Sequence, residues 1–236
     1  MEGARTVSVQ PLSGEGTLRY FDWVESRREY VDSASSGQFG YLHIPDMGGW
    51  GLLRFVRMFY HQARKPGLIM DVRYNGGGFV SRLILDRLLK RPVSMWADRE
   101  TGVGPSPGTA IRGHMVTLLN EHSCSDGDIF PWCFREYGLG PLIGTRSWGG
   151  VVGIDGHGPL SDGGYVYTPE YAMFDLQGEW VIENVGVEPD SVVQNTPDRR
   201  TRDYDDQLDA AISYLKNKLE REPVSLPGRP DPPQPR

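Results

Sequence analysis

The chain is 236 residues long, 38% hydrophobic and 24% charged, with a formal net charge of −6. That composition suits a globular chain long enough to bury a sizeable core. The acidic balance, without a basic patch, argues against nucleic-acid binding, and no apolar run approaches the roughly 18 residues that suggest a membrane span.

Residues 5–10, RTVSVQ, alternate as a strand does, without a visible partner at the start of the chain. A helix is predicted from about Tyr20 to Asp32, where Trp23, Val24 and Val31 recur at near-helical spacing. FGYLHI (39–44) reads as a buried strand, stopped by Pro45 and the glycines beyond it. Over 51–64, Leu52, Val56, Phe59 and Tyr60 share a helical face. LIMDV (68–72) is a second buried strand. It runs into NGGG (75–78) and then into a helix carrying Leu83, Leu85, Leu88 and Leu89. HMVTLLN (114–120) is a third strand, again followed by a polar turn and a helix. This alternation predicts an α/β domain with a largely parallel sheet flanked by helices. Beyond Gly140, the segments LIG, GGVVGID, GYVYT and EYAMFD are separated by Gly, Pro and Asp and read as strands and irregular loops. A last helix is predicted from about Asp203 to Leu219, with Leu208, Ala211, Ile212, Leu215 and Leu219 on one face. Acidic residues open it and lysines close it, as the helix dipole favours. The proline-rich tail, 222–236, lacks core-forming residues and is expected to be disordered.

Two strand-to-helix turns carry the chemical interest: DVRYNGGGFV and NEHSCSDGDIF. Both leave the carboxyl ends of predicted parallel strands, where sites in α/β proteins gather. A run of glycines lets backbone N–H groups face a ligand unobstructed. By itself it is equally a tight turn. A phosphate loop would want Lys and Ser/Thr next, and here Phe79 and Val80 follow. The second turn puts Ser123, Cys124, Ser125 and Asp126 at a helix N-terminus, near unpaired N–H groups and the positive end of the dipole. That suits a nucleophile whose attack creates an oxyanion, but Ser and Asp are also the preferred helix caps. Cys124 is a rival nucleophile, although free cysteines are usually packing residues. Cys124 and Cys133 are the only cysteines, too close together for a disulfide framework and without a CxxC pair for zinc.

DVRYNGGGFVS, NEHSCSDGDIF, IGTRSWGGVVGI and ENVGVEPD, in that order and preceded by GYLHIPDMG, resemble tricorn peptidases, within the carboxy-terminal processing peptidases. The resemblance runs from about residue 5 to about residue 220. It implies a crotonase-like α/β core, a cytoplasmic serine peptidase acting on peptides released by larger proteases, a hexameric ring, and no metal or cofactor. Residue by residue, it implies Ser125 as nucleophile and the backbone N–H groups of Gly78 and Asp126 as oxyanion hole. It also implies Glu183 as the acidic member of the charge relay. The position tied to preference for a basic residue before the scissile bond, usually aspartate, is Trp96 here, with Asp98 nearby but out of register.

The same resemblance divides the chain into a remnant of a PDZ-type domain (1–14), a connecting helix (15–36), a catalytic subdomain (37–221) and the tail. The family's base histidine belongs to an earlier subdomain. None of His43, His61, His114, His122 and His157 matches it. The chain is therefore expected to be inactive or weakly active alone. The alternative is a non-catalytic peptide-binding or scaffold module with a vestigial site.

Overall fold

The computed structural model describes residues 3, 5–99, 102–200 and 204–231. In chain order the elements are α1 (Gly16–Ala34), β1 (Phe39–His43), α2 (Gly49–Gln62), β2 (Gly67–Asp71) and α3 (Ser81–Leu89). A hairpin follows, of β3 (Ser94–Ala97) and β4 (Val103–Ser106), then β5 (His114–Leu119), α4 (Asp126–Glu136) and β6 (Leu142–Gly144). A second hairpin, β7 (Gly153–His157) and β8 (Val166–Tyr171), precedes β9 (Ser191–Val192), the short α5 (Pro197–Arg200) and α6 (Asp206–Arg221).

The five-stranded sheet has the order β1-β2-β5-β6-β9, and every neighbouring pair is parallel. A parallel sheet needs cover on both faces, and the strand sequences supply it by alternation. Leu42, Leu68, Met70, Met115 and Leu119 pack with α2, α3 and α4 through Phe55, Phe59, Ile84, Leu88, Phe130 and Phe134. Phe39, Tyr41, Ile69, Val116, Leu118 and Ile143 face the other way, onto Val24 and Val31 of α1 and Leu208, Ala211, Ile212 and Leu215 of α6. Each such large side chain stabilises the fold by roughly 1.5–3 kcal/mol when fully buried, so strands of two to six residues are held by their packing.

Three expectations are corrected by the packing. On α2 the buried positions are Gly51, Phe55, Phe59 and Gln62, while Val56 and Tyr60 are exposed. Arg54, Arg57 and His61 form a single narrow polar stripe on this helix, so the broad apolar arc opposite does not by itself fix which residues point inward. On α3, Ile84 joins Leu85 and Leu88 in the core and Leu83 points outward. RTVSVQ forms no strand; residues 5–12 are exposed and unpaired. Residues 1, 2 and 4 of the N-terminal segment and 232–236 of the tail lie outside the described residues. Between 223 and 231 there is neither helix nor strand.

A buried ionic cluster fixes the junction between β2 and α6. Arg73 donates to Asp71 Oδ2 at 2.6 Å, to Asp205 Oδ1 at 2.8 Å and to Gln207 Oε1 at 3.0 Å. Tyr41 donates to Asp71 Oδ2 at 2.8 Å. Asp205 also caps α6 by accepting the Leu208 N–H. Burial works against the Arg73 charge, but Asp71 and Asp205 outweigh it and raise the pKa well above the usual value. Burial likewise opposes the Asp205 carboxylate, and Arg73 wins, holding its pKa low. Beside this cluster lies His43, where Tyr20 O–H donates to Nδ1 at 3.1 Å and Nε2–H donates to the Arg73 carbonyl at 2.9 Å. Burial favours the neutral imidazole that this pattern accommodates.

Two outcomes are expected. Replacing Arg73 by Met leaves Asp71 buried without a cation and Asp205 with only Arg27, 3.5 Å away, and lowers stability by about 3–5 kcal/mol, seen as a lower urea midpoint at pH 7. For His43, burial depresses the folded-state pKa, so below about pH 6.5 the unfolded chain takes up a proton that the folded chain refuses. Its contribution to stability is complete above that pH and declines as pH falls towards the folded pKa. In urea titrations at pH 7.5 and 5.5, His43→Gln should show a smaller loss on acidification than the parent; an equal loss would exclude His43 as the source.

Candidate active site

β2 and β5 are neighbours in the sheet, so the turns that leave them emerge side by side. Cross-links lock the two together. Cys124 N–H donates to the Asn75 carbonyl at 2.9 Å, Ser123 Oγ to the Val72 carbonyl at 2.8 Å, and Tyr74 N–H to Asn120 Oδ1 at 3.0 Å. Asn75 is fully buried; its amide donates to the Ile44 carbonyl and its Oδ1 accepts the Gly77 N–H.

The glycines of the first turn are required by contact. Gly77 has φ +83°, and a Cβ there would stand 2.6 Å from Ser125 Cβ. Gly78 has φ +148°, and its Cβ would meet the Met47 carbonyl oxygen at 2.0 Å. The Met47 carbonyl accepts from Phe79 and Val80, leaving Gly78 N–H without a hydrogen bond among the described residues.

Ser125 immediately precedes α4, with φ 56° and ψ −123°. A non-glycine residue at positive φ is strained, by about 1–3 kcal/mol, and the tight cross-links around it hold it there. Its hydroxyl has no hydrogen-bond partner among the described residues, so it is not acting as a side-chain cap. Neither has the Asp126 N–H, whereas the next three amides, of Gly127, Asp128 and Ile129, are bonded to the Cys124 and Ser125 carbonyls. The Asp126 carboxylate turns away, accepting the N–H of Ser81 at 3.0 Å and also its hydroxyl. It thereby ties the start of α3 to the start of α4. Burial pushes the Asp126 pKa up, and the Ser81 bonds pull against that.

Ser125, Gly78, Asp126 and Glu183 all line one cleft of about 580 Å³. Its walls include Phe79, Arg82, Ile129, Trp148, Val151, Val152, Ile154 and Tyr171. Glu183 Oε2 accepts the N–H groups of Val151 at 2.7 Å and Val152 at 2.8 Å. Its neighbours Ile182 and Asn184 both have positive φ, 72° and 62°. Asp128, in the first turn of α4, accepts the Gly149 N–H at 2.9 Å. Burial raises its pKa against hydrogen bonds from Ser147 and Gly149. Asp128 therefore clamps the 147–152 loop to α4, which Ser125 precedes.

Trp96 is not in this lining. It lies on β3, opposite Gly104, and is 72% exposed. No histidine lines the cleft among the described residues. His43 is spent in the core, and His122 stacks on Tyr74 with its rings 5.3 Å apart, its side chain 61% exposed. Cys124 has its thiol pKa raised by burial, the wrong direction for a nucleophile. Asn75, Ser81 and Asp128 are site-shaping residues that the sequence reading passed over. Asn75, directly before a glycine run, carried the available signal: such a residue folds its side chain onto the backbone two residues on. Among the described residues no helix is long and apolar enough to cross a membrane, and no group of side chains could hold a metal ion.

Comparisons with known proteins give the chain its relatives. The chain is 42% identical over 226 residues to the tricorn protease of Thermoplasma acidophilum, covering 96% of this chain and 21% of that relative. It is 44% identical over 215 residues to the tricorn protease homolog of Saccharolobus solfataricus, covering 91% of this chain and 20% of that protein. A crystal structure of the tricorn protease superposes with a TM-score of 0.87 at 42% identity, over 92% of this chain and 21% of that one. The chain thus spans about a fifth of the length of these relatives. The model of peptidase family S41 matches residues 38–193, which takes in the whole parallel sheet from β1 to β9 and both turns: the chain belongs to peptidase family S41.

Proposed function

We propose that the chain is the nucleophile-bearing part of a serine peptidase that cleaves peptides. The observation that carries this is Ser125, held at positive φ at the start of α4 with the unengaged N–H groups of Gly78 and Asp126 in the same cleft. Ser125 Oγ attacks the scissile carbonyl carbon, and its proton passes to a base. The carbonyl oxygen becomes an oxyanion held by the two N–H groups, one from each turn. The C–N bond then breaks, the departing amine takes the proton, and water hydrolyses the Ser125 ester.

Glu183 acts as the acidic member around the base. Two backbone N–H groups hold one of its oxygens, which fixes the carboxylate for an orienting role. The base itself is a histidine from outside the described cleft, supplied by another segment or another chain. Assembly into a ring of subunits, as the resemblance implies, and a cytoplasmic place downstream of larger proteases belong to the same reading. Trp96 belongs to it as an apolar determinant beyond the immediate cleft, acting on the residue before the scissile bond. The absence of a cleft histidine also favours a second reading, a peptide-binding module without catalysis.

A serine-reactive fluorophosphonate separates the two. With the histidine-bearing part present it should label the chain at Ser125, and Ser125→Ala should abolish the labelling; a chain that stays unlabelled with that part present is the binding module. The isolated chain should hydrolyse peptides very slowly or not at all, because a serine hydroxyl is scarcely ionised at neutral pH. Adding the histidine-bearing part in trans should raise the rate by roughly 10²–10⁴-fold. Robust hydrolysis by the isolated chain, lost in Ser125→Ala, would disprove an external base. With the assembled enzyme, matched peptides bearing Phe or Arg before the scissile bond should be cleaved in favour of Phe, and Trp96→Asp should move the preference towards Arg. A strong Arg preference in the parent would remove Trp96 from the specificity reading.

A further inference from the structure

The motif SWGG (147–150) has no part in the reaction derived above, yet its backbone is held at almost every residue. Ser147 N–H donates to the Val187 carbonyl at 3.1 Å, and Ser147 Oγ accepts the Val187 N–H at 2.8 Å. Trp148 N–H donates to the carbonyl of Ser123, two residues before Ser125, at 3.0 Å. Gly149 N–H donates to Asp128 Oδ1 at 2.9 Å, and the Gly149 carbonyl accepts the Asn184 N–H at 2.7 Å. The loop is thus fastened to the turn that carries Ser125, to α4 and to the segment that carries Glu183.

On this rigid backbone the Trp148 side chain stands in the lining of the Ser125 cleft, 62% exposed. So large an apolar group left in solvent adds little to the fold. Its orientation is set nonetheless. A Cβ on Gly150 would stand 2.1 Å from Trp148 Cζ3, and the next two atoms it would meet, at 2.6 and 2.7 Å, belong to the same ring. Gly150 is not at positive φ, so its backbone does not call for glycine; the indole occupies the space that a side chain would need. Gly149 differs, with φ 89° and a Cβ that would meet the Gly186 nitrogen at 2.4 Å. The first glycine lets the loop turn, and the second gives the ring a bed. Phe79, Ile129, Val151 and Ile154 line the same cleft.

We propose that Trp148 is the aromatic platform of the Ser125 cleft, receiving an apolar side chain of the bound peptide, aromatic or long aliphatic, on the face of the indole turned away from Gly150. A ring positioned before binding gives up little entropy when the peptide arrives, while offering a large apolar surface. Trp148 is then a specificity residue. The inference rests on the peptidase reading above in taking a peptide as the occupant, and it names the class of peptide: one with a large apolar residue near Ser125, in preference to a small or charged one.

The test uses the Ser125→Ala chain, so that peptides bind without turnover, and measures fluorescence anisotropy with four labelled, amidated peptides. They share one Gly/Ser sequence and differ at a central position, which is Phe, Leu, Ser or Lys. The Phe and Leu peptides should bind about tenfold tighter than the Ser peptide, as expected for burying one large apolar side chain, and the Lys peptide no tighter than the Ser one. Trp148→Ala should erase that advantage, and Trp148→Phe should keep part of it. Gly150→Ala removes no apolar surface, but its Cβ displaces the indole, so it too should erase most of the advantage, with a urea midpoint like the parent's. The readout is the ratio of Phe to Ser affinity, which a merely structural role for Trp148 would leave unchanged. Equal affinity for all four peptides, no binding of any, or a ratio that survives Trp148→Ala or Gly150→Ala overturns the proposal. Binding to the Ser125→Ala chain involves no acylation, so failure here leaves the fluorophosphonate result at Ser125 standing. Failure of that labelling leaves this affinity pattern standing in turn.

Discussion

The pairing of Arg73 with Asp71 and Asp205 is the constraint on which the rest of the molecule is built. It sits at the carboxyl end of β2, at the step from buried strand to NGGG turn, and reaches across to the first residues of α6. A guanidinium removed from water is tolerable only with its hydrogen bonds satisfied, and here two carboxylates and Gln207 satisfy it. Asp205 spends its remaining capacity on the α6 cap and on Asn195. The arrangement sets where the glycine turn starts and holds the far helix layer against the sheet through one shared group of side chains.

From that anchor the candidate site follows by adjacency. Parallel strands put their outgoing turns at the same end of the sheet, and β2 and β5 have no strand between them. One turn must therefore accommodate the other at van der Waals distance, which explains why Gly77 faces Ser125 and Gly78 faces Met47 without side chains. The Asp126–Ser81 link then joins the helices that the two turns begin. Two N–H donors carried on separate segments need such a link to converge on one point, because donors misplaced by a fraction of an ångström lose much of their effect.

Much of the architecture was legible in the sequence because a sheet covered on both faces writes itself as short apolar runs between glycines. LIMDV and HMVTLL are unmistakable for that reason. The α2 face was not legible in full, since Arg54, Arg57 and His61 make one narrow polar stripe and the wide apolar arc left over does not mark where its buried centre lies. Nor was the β3–β4 hairpin, whose side chains gain little burial and so carry little pattern. At the site, the motif order brought Ser125, Gly78, Asp126 and Glu183 to attention, and they do share a cleft. Trp96 entered on the resemblance alone, and a matched position says nothing of how a hairpin projects. The dihedral angles of Ser125 and the turned-away carboxylate of Asp126 depend on tertiary cross-links from Asn75 and Ser81, which no local spacing records.

The backbone at Ser125 has one more consequence, for inheritance. A conformation with φ 56° suits glycine better than serine, and a β-branched residue worse than either. The fold therefore gains nothing from the hydroxyl and is under steady pressure to lose it. A gene copy freed from selection for chemistry can drift to glycine at this position, gaining stability as it is disarmed, whereas drift to threonine is resisted by the backbone. On the proposed reading, the hydroxyl persists only as long as its reaction is useful to the cell.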